Sequence, residues 1–372
     1  MRVLVAGAGV AGLAAARALL NAGHEVQVYE RAPSPRLEGG SVTLWSGGTG
    51  ILADLGVDLT GAGRRIDTMQ TWNHRGRRLL TVDVAAVARR YGTPNVHLPR
   101  RHLIQRLAAG LPDGVLRFGH TCAHVDPERG ELAFAGGGTA RGDVVVGAEG
   151  RASVVRDLLW GADPGRMTGW ITWQGYTTGP PELAGSHRAL MVVGPQGLCG
   201  LIPAGEGRLL WWFDHRTDHR EPPPASPAAA LTERFGHWAS PVPEVLARIG
   251  EADLFRHHRH RVPKVWGRGR ATLAGDAAHS MPPTMAQGAN QALEDAWTLA
   301  RELDGPGPVA DRLRRYERAR SRRAARAANL AATEMTDSHR AQSLTRLLPG
   351  RLVTAAYIAW LRRVSTYLAS TT

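Results

Sequence analysis

The chain opens with a strand, a glycine-rich turn and a helix, and this opening constrains the fold more than any other feature. The segment "RVLVA" is typical of a buried strand, "GAGVAG" follows it, and "LAAARALLNAG" has the composition of a helix. This spacing assigns Gly7 to a tight turn, Gly9 to the approach of backbone amides to a pyrophosphate, and Gly12 to close helix–strand packing. Glu30 ends the next strand, where a carboxylate can accept ribose hydroxyls. The pattern predicts a βαβ dinucleotide-binding unit and leaves FAD and NAD(P) both open.

A second segment, "LAGDAAHSMPPTMAQGANQALEDAWTLA" (273–300), indicates a ligand at the end of another strand. An aspartate at the carboxyl end of a strand in an α/β sheet lies where ligands bind, and Asp276 could hold a ribityl hydroxyl. The prolines force an extended turn. We expect a helix from about Gly288, whose free amides would face an electron-rich ring edge.

Composition excludes several classes of function. The two cysteines, Cys122 and Cys199, lie far apart, so we expect neither a disulfide framework nor a metal site, and a reducing cytoplasm is the expected location. The N-terminus resembles no signal peptide, and no apolar run reaches the roughly 18 residues of an integral membrane segment. The net charge of +13 is almost entirely arginine, since Lys264 is the only lysine. The skew is typical of biased genome composition, and the densest cluster, residues 312–326, is predicted to be a solvated helix face rather than a nucleic-acid site.

The combination of "GAGVAG…YER", "GDVVVGAEGRASVVR" (142–156) and the segment containing Asp276 resembles the class A FAD-dependent aromatic monooxygenases, relatives of p-hydroxybenzoate and salicylate hydroxylases. The resemblance covers residues 1 to about 330. It implies an α/β fold with a Rossmann-like FAD-binding domain of the glutathione-reductase type (1–166 and 267–330). A mainly antiparallel β-sheet substrate domain (167–266) is predicted to be inserted, and a helical segment (331–372) to follow.

The resemblance also implies roles for individual residues. Arg100 would contact the flavin side of FAD, Val125 would lie by the adenine, Pro283 and the turn from Met285 to Asn290 would line the isoalloxazine ring, and Trp45 would lie on its other side. The complete predicted FAD-binding set is Gly7, Gly9, Val10, Ala11, Gly12, Glu30, Arg31, Arg100, Val125, Gly275, Asp276, Pro283, Ala286, Gly288, Ala289 and Asn290.

The chain departs from the family pattern at two positions. Glu149 stands where aspartate is usual, which keeps the charge but adds a methylene and could shift contacts, including those to the nicotinamide donor. Ala286 stands where glycine is common. Because alanine would be strained at positive φ, we expect a negative φ at Ala286.

The substrate pocket is predicted between the ring and the tryptophan-rich sheet, lined by Trp45, Gln174, Trp211, Phe213 and Pro283. An aromatic lining suits a flat aromatic substrate. No residue stands out as a catalytic base. His215, Tyr176 and His279 are candidates, and none is assigned.

The expected activity is an FAD-dependent monooxygenase that uses NADH or NADPH and inserts one atom of O2 into a small or polycyclic aromatic substrate, through the family's flavin C4a-hydroperoxide. The chain would act as a monomer or homodimer. The main alternative is an FAD-dependent dehydrogenase or reductase of the same fold. A flavin halogenase is disfavoured because "WxWxIP" is missing from the sequence, and a non-enzymatic flavin-binding protein is a further alternative.

Overall fold

The structure is a computed structural model that describes residues 1–37, 39–218, 222–333 and 349–371. Part of the predicted C-terminal helical segment, residues 334–348 and 372, lies outside the described residues.

The strands, in chain order, are β1 (Arg2–Ala6), β2 (Glu25–Glu30), β3 (Ser41–Leu44), β4 (Arg64–Ile66), β5 (Thr68–Asn73), β6 (Arg78–Asp83), β7 (Asn95–Pro99), β8 (Leu116–Phe118), β9 (Cys122–Asp126), β10 (Glu131–Phe134), β11 (Thr139–Arg141), β12 (Val144–Gly147), β13 (Arg166–Thr178), β14 (Arg188–Gly194), β15 (Gly197–Gly205), β16 (Arg208–Arg216), β17 (Asp253–Arg259) and β18 (Ala271–Leu273).

The helices, in chain order, are α1 (Val10–Asn21), α2 (Ser46–Asp54), α3 (Ala85–Tyr91), α4 (Arg100–Ala108), α5 (Val154–Trp160), α6 (Pro181–Ala184), α7 (Pro227–Phe235), α8 (Val242–Leu246), α9 (Asp276–His279), α10 (Gly288–Leu303), α11 (Val309–Ala331), α12 (Gly350–Val364) and α13 (Thr366–Ser370), with a 3₁₀ turn at Pro283–Met285. Among the residues that the structure describes, no helix is long and apolar enough to cross a membrane.

A five-stranded parallel sheet in the order β18-β12-β1-β2-β8 forms the centre of the first layer. Its inner strands are continuous apolar runs, because both faces of a parallel sheet are covered; Val3, Leu4 and Val5 are fully buried. The chain leaves β1 for β2 on one side and returns to β12 on the other. The carboxyl ends of β1 and β12 therefore flank the crevice where such sheets bind ligands.

The second layer is a seven-stranded sheet in the order β17-β13-β16-β15-β14-β5-β6, antiparallel except where β14 pairs with β5. The predicted α/β class with an antiparallel second layer is confirmed. Strands β5 and β6 form a hairpin that turns at Gly76. This hairpin lies at 68–83 but belongs to the second sheet. The sheet therefore includes strands from outside the predicted substrate domain (167–266). Two three-stranded sheets, β11-β10-β9 and β3-β7-β4, complete the architecture.

A buried ion network joins α9, α10, α11 and the C-terminal helices. The guanidinium of Arg320 donates to Asp295 Oδ1 at 2.8 Å, and both side chains are fully buried. Asp295 Oδ2 accepts from the Gly275 amide at 2.8 Å and from His279 Nε2 at 2.6 Å. Arg320 also donates to Thr366 Oγ1 at 3.1 Å. Burial alone would raise the pKa of Asp295, but His279 and Arg320 hold it below its usual value.

Glu294, next to Asp295 in α10, fixes the start of α13. Its carboxylate accepts from the amides of Thr366 and Tyr367 at 2.8 and 3.0 Å and from the Ser365 hydroxyl. A carboxylate at a helix N-terminus satisfies free amides and complements the helix dipole. The last residues of the chain are thereby fastened to the helix that follows the predicted flavin turn.

Replacing Arg320 by alanine tests how much this network contributes to the stability of the fold. We expect Arg320→Ala to lower the free energy of unfolding by about 3–5 kcal/mol, because it leaves Asp295 buried and charged without its partner. Arg315→Ala, in the same helix, removes a half-exposed pair with Glu302 and should cost about 1 kcal/mol or less. Urea denaturation measures both, and similar losses for the two variants would contradict the assignment.

Candidate functional site

A cavity of about 300 Å³ opens at the carboxyl ends of β1 and β12. It brings together many of the predicted FAD-binding residues from distant parts of the chain. The predicted residues that line it are Gly7, Gly9, Val10, Ala11, Glu30, Arg31, Arg100, Asp276, Gly288 and Ala289. The predicted residues outside its lining are Gly12, Val125, Gly275, Pro283, Ala286 and Asn290.

The three glycines of the opening turn differ in the space available to an added Cβ atom. A Cβ at Gly7, where φ is +101°, would lie 2.5 Å from the Ala148 carbonyl oxygen, and one at Gly12 would lie 1.8 Å from the Gly7 oxygen. Both positions therefore require glycine for packing. A Cβ at Gly9 would meet nothing within 4 Å, because Gly9 borders the cavity at the start of α1. The open space at Gly9 lies where the pyrophosphate is predicted, in front of a helix N-terminus.

Glu30 ends β2 with its carboxylate fixed by backbone amides. Oε2 accepts from the Ala8 amide at 2.8 Å and Oε1 from the Ala32 amide at 3.0 Å. A carboxylate has about four lone-pair sites, so both oxygens can still accept further hydrogen bonds. Glu30 is thus pre-oriented to accept hydroxyl groups, as the sequence predicts.

Asp276 begins α9, and its side chain is exposed where it lines the cavity. No described residue donates a hydrogen bond to its carboxylate. Burial raises its pKa, against the opposing effects of positive groups that include Arg100 and Arg151. The carboxylate is exposed to the cavity, so both of its oxygens can accept hydrogen bonds from ligand hydroxyls.

Arginines supply the positive charge of the cavity. Arg100, at the start of α4, lines it together with Arg31 and Arg36. Burial lowers the pKa of Arg100, followed by the repulsion of Arg36, whereas Asp276 and Glu30 oppose the decrease. Arg100 remains a cation at neutral pH, and this part of the cavity attracts an anionic ligand.

Glu149, the first departure from the family pattern, turns back toward its own chain. Its carboxylate accepts from the Ser153 hydroxyl at 2.6 Å and from the Val155 amide at 3.0 Å, at the start of α5. Burial raises its pKa. The longer side chain therefore fixes the turn after β12, and it still borders the cavity.

Sequence analysis did not identify the lining residues that follow β8. His120, Thr121 and Cys122 border the cavity, whereas the predicted Val125 is buried within β9. Burial, followed by the nearby Glu149, raises the pKa of Cys122 to about 12, so its thiol stays protonated. No local motif marks these residues, because only the pairing of β8 with β2 carries them to the site.

Ala286, the second departure, has φ +48° and ψ +39°, so the expected negative φ is wrong. The 3₁₀ turn before it and the start of α10 after it require a left-handed residue between them. Asn290 holds this geometry by donating from Nδ2 to the Ala286 carbonyl at 2.7 Å, while its Oδ1 accepts from the Trp45 amide at 2.9 Å. A non-glycine residue in this conformation costs about 1–2 kcal/mol, so the turn is strained at the position predicted for the ring.

The predicted substrate residues do not share one surface. Gln174 packs against Gly40, where an added Cβ would lie 1.8 Å from its Nε2. Trp211 and Phe213 are on the opposite face of the sheet, fully buried against α7 and α8. The register pairs Gln174 with Trp212, so Trp212 is the tryptophan on the Gln174 face. The prediction that Trp211 and Phe213 line the pocket with Gln174 is therefore wrong.

The remaining predicted substrate residues, and the candidate bases, are scattered. Trp45 is buried in an aromatic cluster with Tyr357, and Pro283 is exposed in the 3₁₀ turn. His279 is fully buried in the ion network, and His215 packs near Phe235. Of the candidate bases, only Tyr176 lies on the Gln174 face, as the sequence alternation predicts.

The residues around the cavity fit FAD. A pyrophosphate needs the amides and open space at Gly9, ribose hydroxyls need an acceptor such as Glu30, and a ribityl chain needs one such as Asp276. Each of these is present in the cavity lining. The described residues contain no group of three or more His, Cys, Asp or Glu side chains able to hold a metal ion.

Comparisons with known proteins agree with this geometry. Residues 1–331 match the profile of the FAD binding domain family. The aurachin C monooxygenase/isomerase of Stigmatella aurantiaca is 31% identical over 333 residues, covering 87% of this chain and 86% of that protein. A 3-amino-4-hydroxybenzoate 2-monooxygenase of Streptomyces platensis is 36% identical over 340 residues, covering 86% and 84%. The structure of Klebsiella pneumoniae HpxO with FAD and uric acid superposes with a TM-score of 0.89 at 25% identity, covering 98% of this chain and 97% of that one.

The contrast between Gly9 and Gly12 gives a test of the cavity. Gly9 has φ −78°, so Gly9→Ala should fold normally but place a methyl group in the predicted pyrophosphate space and weaken FAD binding by about tenfold or more. Gly12→Ala should fail to fold, because its methyl group would overlap the Gly7 carbonyl. Gly250→Ala, which also has open space, is the control. Fluorescence titration with FAD measures affinity, and an unchanged affinity in Gly9→Ala would contradict the placement.

Asp276→Asn separates ligand binding from stability. In the FAD-free protein the raised pKa of Asp276 makes stability fall as pH rises through that pKa, and asparagine removes this loss. We expect the variant to be more stable than the parent at pH 7, with a difference that shrinks toward about pH 4, and to bind FAD about tenfold more weakly.

Thermal unfolding of FAD-stripped protein from about pH 4 to 8, and titration with FAD, measure the two effects. Asp113→Asn, at an exposed loop carboxylate, is the control. A variant less stable than the parent at pH 7 would show that the Asp276 carboxylate has a partner in the resting protein.

Proposed function

Because this chain belongs to the FAD binding domain family and is an FAD-dependent monooxygenase, we propose that it uses NADH or NADPH and O2 to hydroxylate a small, electron-rich aromatic compound. The balanced reaction consumes the aromatic compound, O2, NAD(P)H and a proton, and it releases the hydroxylated product, NAD(P)⁺ and water. When bound, FAD supplies the redox chemistry, and the protein supplies binding, orientation and exclusion of water.

The observation that supports the proposal most is the donor-free carboxylate of Asp276 in a cavity that also contains the open space at Gly9. Glu30 would bind the adenosine half of the cofactor and Asp276 its ribityl chain. The amides at Gly288 and Ala289, at the start of α10, would stabilise negative charge on the ring edge.

The similar proteins support an aromatic substrate. They include enzymes named for 3-amino-4-hydroxybenzoate and for urate, both of which carry electron-donating groups on the ring. The Gln174 face of the second sheet, with Trp212 and Tyr176, would border such a substrate. A cytoplasmic location is part of the proposal and is supported by two free, buried cysteines.

The proposal is tested by isotope incorporation. Purified protein loaded with FAD should oxidise NADH or NADPH faster when 3-amino-4-hydroxybenzoate, urate or 4-hydroxyquinoline is added under ¹⁸O2, and mass spectrometry should find one labelled oxygen in the product. Benzoate, which lacks an electron-donating substituent, is the control. Stimulated NAD(P)H oxidation with a reduced, unlabelled product would identify the reductase alternative, an oxidised, unlabelled product formed without NAD(P)H would identify the dehydrogenase alternative, and no stimulation by any compound would contradict the proposal.

A further inference from the structure

Three polar aromatic side chains pack in one small apolar group beside the C-terminal helix. Trp45 precedes α2, Tyr91 ends α3, and Tyr357 lies in the middle of α12. The rings of Trp45 and Tyr357 are 5.9 Å apart and nearly perpendicular. We call Trp45, Tyr91 and Tyr357 the three-donor cluster.

The polar atoms of this cluster have no hydrogen-bond partner within the part of the chain that the structure describes. Trp45 Nε1, Tyr91 Oη and Tyr357 Oη are all buried, and each is unpaired there. Native proteins leave few buried polar atoms unpaired, because each has lost its hydrogen bonds to water. Three such atoms in one cluster indicate a site that a ligand completes.

The cluster adjoins the turn that the resemblance assigns to the flavin ring. Ala286 packs in the same apolar group, and the Trp45 amide is bonded to Asn290, which also holds the Ala286 carbonyl. On its other side Tyr357 packs against a second apolar group that includes Ile202, and Trp212 of the second sheet packs against the same group. The cluster therefore adjoins both the predicted flavin turn and the second sheet.

The chemistry of the cluster limits what it can bind. An indole N–H only donates a hydrogen bond, so Trp45 requires an acceptor on the ligand. Burial raises the pKa of Tyr357 well above its usual range, so its hydroxyl stays protonated and can also donate. The neighbouring side chains are apolar or aromatic and suit a flat ring.

We infer that Trp45 Nε1 and Tyr357 Oη, with Tyr91 in the same apolar group, donate hydrogen bonds to the oxygen of a ring hydroxyl on the aromatic substrate. The inference rests on the proposed function and names the substrate class of that same site. It makes α12 part of the substrate site, although α12 lies beyond residue 331, where the family profile ends. The two residues select for a hydroxylated ring over an otherwise similar ring without that hydroxyl.

Tyr357→Phe removes one donor and keeps the ring. The matched control is Tyr367→Phe, in the same apolar group, whose hydroxyl has a partner in Asp54. The probes are 3-amino-4-hydroxybenzoate with 3-aminobenzoate, and 4-hydroxyquinoline with quinoline. Each pair differs by one hydroxyl, and binding to the FAD-loaded protein is followed by equilibrium dialysis.

We expect Tyr357→Phe to weaken binding of the hydroxylated probe about tenfold and to leave the Kd of its partner without the hydroxyl nearly unchanged. Tyr367→Phe should preserve the preference for the hydroxylated probe. Without any probe, the Tm of Tyr357→Phe should equal or exceed that of the parent, because no existing hydrogen bond is lost.

Two results would overturn the inference alone. One is a parent protein that hydroxylates a probe while Tyr357→Phe keeps the full preference. The other is a probe-free Tm that falls at least as far in Tyr357→Phe as in Tyr367→Phe, which would show a retained water or protein partner at Tyr357. If the parent neither binds any probe nor oxidises NAD(P)H faster with any of them, the proposed function fails and the inference fails with it.

Discussion

The buried pair between Asp295 and Arg320 is the interaction on which the arrangement of the site depends. Asp295 holds the Gly275 amide and His279, which fixes the turn that places Asp276 at the cavity. Arg320 lies in α11, so its pairing with Asp295 joins α11 to this turn. Its hydrogen bond to Thr366 extends the network to the C-terminal helices. Charges this deeply buried are stable only when fully paired, so the elements that meet at this network are fixed relative to one another. The turn that carries Asp276 and the C-terminal helices are therefore held in place by the same buried pair.

Structural features that depend on residues close together in the chain were predicted best from the sequence. The turn at Gly7 to Gly12, the end of β2 at Glu30 and the helix from Gly288 follow from backbone sterics and helix initiation, which a short segment carries in full. The parallel pairing of β1 with β2 followed from the βαβ pattern. Many residues predicted from these local motifs consequently line one cavity.

Features set by distant parts of the chain could not be predicted in this way. Alternation correctly placed Trp211 and Phe213 on one face of β16, but only the packing of α7 and α8 decides which face is core. The left-handed Ala286 follows from the join between a 3₁₀ turn and α10, and it overrides the preference of alanine. The β5–β6 hairpin entered the second sheet by pairing with β14, a contact between segments more than a hundred residues apart.

Several positions where the fold is unsatisfied lie around the predicted cofactor and substrate. Asp276 lacks a donor among the described residues, Ala286 is strained, and Trp45 and Tyr357 keep unpaired polar atoms. Each of these lowers the stability of the protein without ligand, and a ligand that satisfies them adds to the stability of the folded state. The Asp295–Arg320 network fixes the turn that carries Asp276, so the conformational cost of ordering this part of the site is met in the folded protein before a ligand binds.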